Sequence, residues 1–105
     1  MDLFGTLRAP RELVFGSGQR NALGSIARSY GTRALIITDA RLASDATFLD
    51  MVASVEEAGV TVSVDSTTLP DVPVDSAIES AERARTFSPD MVIGIGGGSC
   101  LDMAK

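Results

Sequence analysis

Histidine is absent from all 105 residues, and so is tryptophan. Zinc and iron catalytic centres usually take imidazole ligands, and general acid–base work often does. A chain without imidazole is poorly equipped for either. Aromatic residues are sparse: Phe4, Phe15, Phe48, Phe87 and Tyr30 are the whole set. That is too thin for the base-stacking platforms that hold single-stranded nucleic acid. One cysteine, Cys100, excludes an internal disulfide and fits a reducing compartment. No apolar run approaches the ~20 residues of a membrane-spanning helix. Residues 1–5 lack a basic start ahead of an apolar core, so no signal peptide is expected. The reading is a cytoplasmic chain without membrane contact. Nine basic residues against fourteen acidic ones leave a net charge of -5, which argues against nucleic acid as a partner. An acidic domain still binds a single phosphate group when backbone amides do the work.

What is present is a regular alternation of strand and helix signals. The hydrophobic fraction of 45% supports a globular fold, and the length allows one domain or part of one. Residues 12–15 read as a short strand turned by Gly16-Ser17-Gly18. Ala22, Leu23, Ile26, Ala27 and Tyr30 then recur at helical spacing, with Gly31 as the stop. Residues 34–38 form a continuous apolar strand, as expected when both faces are buried, and it ends at Asp39. Phe48, Leu49, Val52 and Val55 mark a second helix, closed by Gly59, and residues 60–64 alternate as a strand. Pro70 and Pro73 punctuate a loop over 67–73. Ala77, Ile78, Ala81, Ala84 and Phe87 mark a third helix, ended by Ser88-Pro89 ahead of a strand over 91–95.

Strands separated by helices imply βαβ units and a parallel sheet. One-handed crossovers then bring Asp39, the Pro70 to Pro73 loop and the glycines after residue 95 to one carboxyl edge. Open α/β sheets bind their ligands there.

The richest segment is Gly96-Gly97-Gly98-Ser99-Cys100-Leu101-Asp102-Met103-Ala104-Lys105. Glycines without Cβ atoms let backbone N–H groups approach a pyrophosphate, and a helix N-terminus adds a favourable dipole. A tight turn would ordinarily need one glycine, so three in a row favour a ligand. This is not the usual G-x-G-x-x-G fingerprint, in which the acid follows the glycines; here Asp39 precedes them. Asp39 can accept ribose hydroxyls or serve a turn. Ser99 and Asp102 also fit a helix-capping pair. Cys100 at a helix start can have a lowered pKa, but a small filler is the simpler reading. Lys105 is either an exposed lysine or a partner of Asp102. Glu56, Glu57, Glu79 and Glu82 read as solvated helix faces.

The terminal motif, Gly96-Gly97-Gly98-Ser99-x-x-Asp102-x-Ala104-Lys105, resembles the glycine-rich signature of the iron-containing, metal-dependent alcohol dehydrogenases. Residues 13–18 resemble that family's opening strand and turn, and residues 34–39 its first Rossmann-like strand. Ser99, Asp102 and the closing Ala104-Lys105 fit the alcohol dehydrogenase branch better than the related glycerol dehydrogenases, dehydroquinate synthases or maleylacetate reductases. The resemblance implies an α/β, incomplete Rossmann-like (dehydroquinate synthase-like) fold over 1–105. It implies that Gly96, Gly97, Gly98 and Ser99 hold the pyrophosphate of NAD. The acid at Asp102 is expected near the nicotinamide amide. Asp39 is expected on the adenosine ribose, favouring NAD over NADP. The family's Pro-Asn-Pro-Thr loop lies near adenine; here it reads Pro70-Asp71-Val72-Pro73, a departure.

The family's metal ligands, one Asp and three His, belong to a later helical domain with no counterpart in these residues. The expected role is therefore the cofactor-binding part of a metal-dependent oxidoreductase acting on alcohols and aldehydes. No catalytic or metal-binding residue is expected here, nor turnover by these 105 residues alone. A non-catalytic nucleotide-binding or assembly module is the alternative, as is a dehydroquinate synthase-like cyclase fragment. An unpaired sheet edge makes homo-oligomerisation an expectation.

Overall fold

The computed structural model describes residues 18–69 and 73–105. The expected strand at 12–15, the turn residues Gly16 and Ser17, and Pro70, Asp71 and Val72 of the proline loop lie outside the described residues. Within them, helices and strands alternate: α1 (Leu23–Tyr30), β1 (Arg33–Ile37), α2 (Ala46–Glu57), β2 (Thr61–Asp65), α3 (Val74–Phe87), β3 (Met91–Gly94) and α4 (Gly98–Ala104). The three strands form a parallel sheet in the order β2-β1-β3. The expected α/β, Rossmann-like architecture with a parallel sheet is what the chain adopts.

β1 is central because it is apolar on both sides. Ala34 and Ile36 face one way, into clusters with Ala27 of α1 and with Phe48, Val52 and Val55 of α2. Burying each of the larger side chains contributes about 1.5–3 kcal/mol, so this layer is the main source of stability. Leu35 and Ile37 face the other way, towards α3 and α4. That second layer is thinner. Ser80 is the buried residue of α3, and Ile78, expected on its core stripe, is 53% exposed. The helix turns Ala77, Ala81 and Ala84 of that stripe, together with Ser80, towards the sheet.

The strand boundaries differ from the apolar runs by one residue. β1 begins at Arg33 because of a clasp at the amino edge of the sheet. The Asp90 carboxylate accepts hydrogen bonds from the backbone N–H groups of Thr32 and Arg33, at 3.0 and 2.9 Å. Those N–H groups hold its carboxyl below the usual carboxylate range. The Arg33 guanidinium donates to the Phe87 carbonyl at 2.6 Å and lies 4.3 Å from the centre of the Phe87 ring. Gly31 ends α1 in extended rather than left-handed backbone (φ 166°). Its glycine is required for another reason: a Cβ there would collide with the Asp90 carboxylate.

Candidate functional site

The strand order creates a crevice. From β1 the chain moves to β2 on one side, then returns past β1 to β3 on the other. Segments leaving β1 and β3 therefore diverge, which is where such sheets take their ligands. The ladder runs just beyond each strand. The N–H of Thr38 donates to the Asp65 carbonyl and that of Ile95 to the Ile37 carbonyl, both at 2.9 Å. The two chains then part at Asp39 and Gly96.

A cleft of about 390 Å³ opens at that point, with Asp39, Arg41, Thr68, Gly97, Gly98 and Cys100 in its walls. That volume is on the scale of small-molecule sites. Asp39 is positioned by its own turn. Its Oδ1 accepts the N–H of Leu42 at 2.8 Å and its carbonyl accepts that of Ala43 at 3.0 Å. Among the described residues its Oδ2 has longer neighbours, Arg41 Nη2 at 3.9 Å and Cys100 Sγ at 3.8 Å. A carboxylate offers roughly four lone-pair sites, so Asp39 retains acceptor capacity at the cleft.

The three glycines do different work. Gly96 has φ +139°, and a Cβ there would lie 2.7 Å from Cys100 Sγ and 3.1 Å from Leu42 Cδ1. It is needed for folding. Among the described residues, nothing beyond the adjoining backbone lies within 4 Å of where a Cβ would stand on Gly97 or Gly98. None of the described residues demands glycine at either position, and both line the cleft. The space a side chain would fill is left for something else.

α4 starts two residues earlier than the capping pattern suggests. It begins at Gly98, and the Gly97 carbonyl accepts the N–H of Leu101 at 3.2 Å. The backbone bond makes Gly97 the cap, which places Ser99 within the first turn and Asp102 in the next. Cys100 is buried as a filler at 2% exposure. Burial first, and then the Asp39 carboxylate, push its thiol up in pKa. The helix start does not activate it.

Three features of this edge were not singled out from the sequence. Arg41 follows Asp39 by two residues and shares its cleft. Thr68 is buried in the cleft wall, and its hydroxyl finds no hydrogen-bond partner among the described residues. Asp65, ending β2, is 6% exposed. Its Oδ1 accepts from the backbone N–H of Thr67 at 3.0 Å, and its Oδ2 from Ser80 Oγ at 2.6 Å and Arg83 Nη2 at 3.0 Å. Burial alone would raise its pKa, but these donors outweigh it and hold the carboxyl at about 2. This network ties β2 to α3.

The family model for iron-containing alcohol dehydrogenases matches residues 10–105. The chain belongs to that family. It is 32% identical over 97 residues to the NADPH-dependent butanol dehydrogenase of Clostridium saccharobutylicum, an alignment covering 91% of this chain and 24% of that protein. It is 33% identical over 98 residues to the NAD-dependent methanol dehydrogenase of Bacillus methanolicus, covering 91% of this chain and 26% of that one. Among solved structures, an archaeal halo-thermophilic alcohol dehydrogenase from a Red Sea brine pool superposes with a TM-score of 0.88 at 26% identity. It covers 99% of this chain and 26% of its own. The chain thus spans about a quarter of the length of these alcohol dehydrogenases.

No group of three or more His, Cys, Asp or Glu among the described residues is arranged to hold a metal ion. No helix among the described residues is long and apolar enough to cross a membrane.

Proposed function

We propose that this chain is the N-terminal, cofactor-binding part of an alcohol dehydrogenase that interconverts alcohols and aldehydes or ketones with NAD(P). The observation that carries this reading is the shared cleft. Asp39 and the two uncovered glycines, Gly97 and Gly98, line one crevice at the switch point of a parallel sheet. A dinucleotide fits that donor set. The open backbone at 97 and 98 admits a pyrophosphate, and the unsatisfied side of Asp39 accepts ribose hydroxyls. By the family resemblance, Ser99 joins the pyrophosphate contact and Asp102 approaches the nicotinamide amide. The bound nicotinamide supplies the hydride chemistry. This chain's residues bind and orient it: Asp39 holds the adenosine end, and Gly97 and Gly98 keep the middle close to the backbone.

The metal, the alcohol and the residues that exclude water from hydride transfer belong, on this reading, to the helical domain of the whole enzyme. NAD is the expected cofactor because a carboxylate beside the ribose repels a 2′-phosphate. A second reading, an assembly module, draws on the sheet edge. Val92 of β3 is 46% exposed, and apolar grooves flank the strand on both sides.

Calorimetric titration of the chain with NAD, ADP-ribose and NADP separates the readings. Binding of NAD and ADP-ribose at one site, lost in Gly98→Val, is the expected outcome. Absence of binding by all three leaves only assembly. NADP binding more tightly than NAD would remove the role given to Asp39.

A further inference from the structure

The adenosine end of the cleft carries a cation that the NAD reading does not use. Arg41 stands in the cleft wall beside Asp39, its Nη2 3.9 Å from Asp39 Oδ2. Its side chain is 86% exposed, against 26% for Asp39. An ion pair that long and that wet holds its partners weakly. The guanidinium is therefore loosely tethered at the oxygen that, on the reading above, accepts a ribose hydroxyl. Any group attached to that hydroxyl would come within a side-chain swing of Arg41.

The geometry points to Arg41 as a second determinant of cofactor choice, one that accepts the 2′-phosphate of an adenosine nucleotide and offsets its repulsion by Asp39. Two features make this chemistry suitable. Guanidinium presents a planar fork of N–H donors that matches phosphate oxygens, and such charge-assisted pairs are about twice as strong as neutral ones. Asp39 also has a way to yield. Its Oδ1 is tied back to the Leu42 N–H, so the carboxylate stays anchored while Arg41 leaves it for a dianion of higher charge. The site then holds both signs beside one ribose position, and it tolerates either a hydroxyl or a phosphate there. The two relatives described above are consistent with such latitude: one is named NADPH-dependent and the other NAD-dependent.

The proposal rests on the cofactor reading, and the test separates them. ADP and 2′,5′-ADP are titrated into the 105-residue chain, its Arg41→Ala variant and its Arg41→Lys variant. The parent chain is expected to bind ADP more tightly than 2′,5′-ADP, but by no more than about tenfold. Arg41→Ala should weaken 2′,5′-ADP by about tenfold or more and ADP by less than about twofold, while Arg41→Lys falls between. Salt should weaken 2′,5′-ADP more steeply than ADP in the parent, and the difference should shrink in Arg41→Ala. Because Arg41 is exposed, folding survives the substitution, checked by an unchanged urea midpoint. An ADP-binding chain whose 2′,5′-ADP affinity ignores Arg41, or falls equally for both ligands, overturns this inference alone. Failure of both nucleotides to bind the parent chain overturns the cofactor reading with it.

Discussion

Neighbouring strands β1 and β2 run out into an aspartate at the same edge of the sheet, and the environments of Asp39 and Asp65 could hardly differ more. Asp65 is buried and saturated. Thr67 engages one oxygen and Ser80 and Arg83 the other. Asp39 is part-exposed, with one firm donor, the Leu42 N–H, and a second oxygen whose neighbours stand at 3.8 and 3.9 Å. The difference follows from what comes after each strand. Beyond β2 the chain leads to α3, whose Ser80 and Arg83 sit one turn apart and reach back to the strand end. Beyond β1 a tight turn leads away into α2, and among the described residues no later helix brings Asp39 a neighbour closer than Cys100 Sγ at 3.8 Å. A strand-end acid with every lone pair occupied is part of the fold. One with spare acceptors beside open backbone can serve a ligand.

The largest effect expected from this contrast is on stability. Asp65→Ala should cost about 3 kcal/mol, because it removes the shared acceptor of a buried charge network and leaves Ser80 and Arg83 without a partner for their donors. Urea denaturation measures it, and a loss below about 1 kcal/mol would contradict the saturated description. The same residue sets an acid limb. Its folded pKa of about 2 lies below the ordinary value of 3.8, so its contribution is fully present above about pH 4 and is lost as pH falls towards 2. Asp65→Asn should flatten the decline of stability across that window, relative to the parent chain.

The sequence made one of these two acids legible and hid the other. Asp39 follows an apolar run that can only be a buried strand, so its place at the carboxyl edge was readable. The sheet, its parallel sense and the gathering of Asp39 with the glycines follow from strand and helix periods alone. Asp65 closes the alternating run Val60 to Val64, and nothing local says that a helix fifteen residues later supplies its donors; that depends on tertiary packing. Arg41 and Thr68 escaped for the same reason, since polar residues in loops carry no period. On α3 the period alone finds Ala77, Ala81 and Ala84 on the sheet side, but it also includes Ile78, which is exposed because close helix–sheet approach selects the small residues. The glycine run was recognisable as a unit, but its division of labour was not, because a backbone dihedral and an open space leave no mark in composition.

That division gives the next largest expected effect. Gly96→Ala should destabilise the fold by about 2 kcal/mol, since a Cβ at φ +139° meets Cys100 Sγ at 2.7 Å. Gly98→Ala should leave stability unchanged or raise it by up to about 1 kcal/mol, because alanine is the better helix residue at the start of α4. Yet it should weaken NAD by about tenfold, equivalent to 1.4 kcal/mol, by filling the space a pyrophosphate needs. The pair is read by urea midpoint and by NAD titration on the same samples. Equal stability losses for the two alanines would erase the distinction between a folding glycine and a cleft glycine.

The smallest effect is the one that tests Asp39 as a structural residue. Asparagine retains an Oδ1 that accepts the Leu42 N–H, and it gives up only a long, solvent-screened pair with Arg41. Asp39→Asn should therefore change stability by less than about 0.5 kcal/mol, the ordinary range for an exposed ion pair. Asp39→Ala, which also removes the acceptor for Leu42, should cost about 1 kcal/mol. The useful quantity is the gap between Asp39→Asn and Asp65→Asn, measured by urea midpoint at neutral pH. Asparagine at 65 replaces an anion that balances Arg83 and accepts Ser80, so its cost should exceed that at 39 several-fold. Equal costs would mean that Asp39 is held as firmly by its turn as Asp65 is by its network. Its spare acceptors would then no longer point to a ligand, and the glycines alone would have to carry that reading.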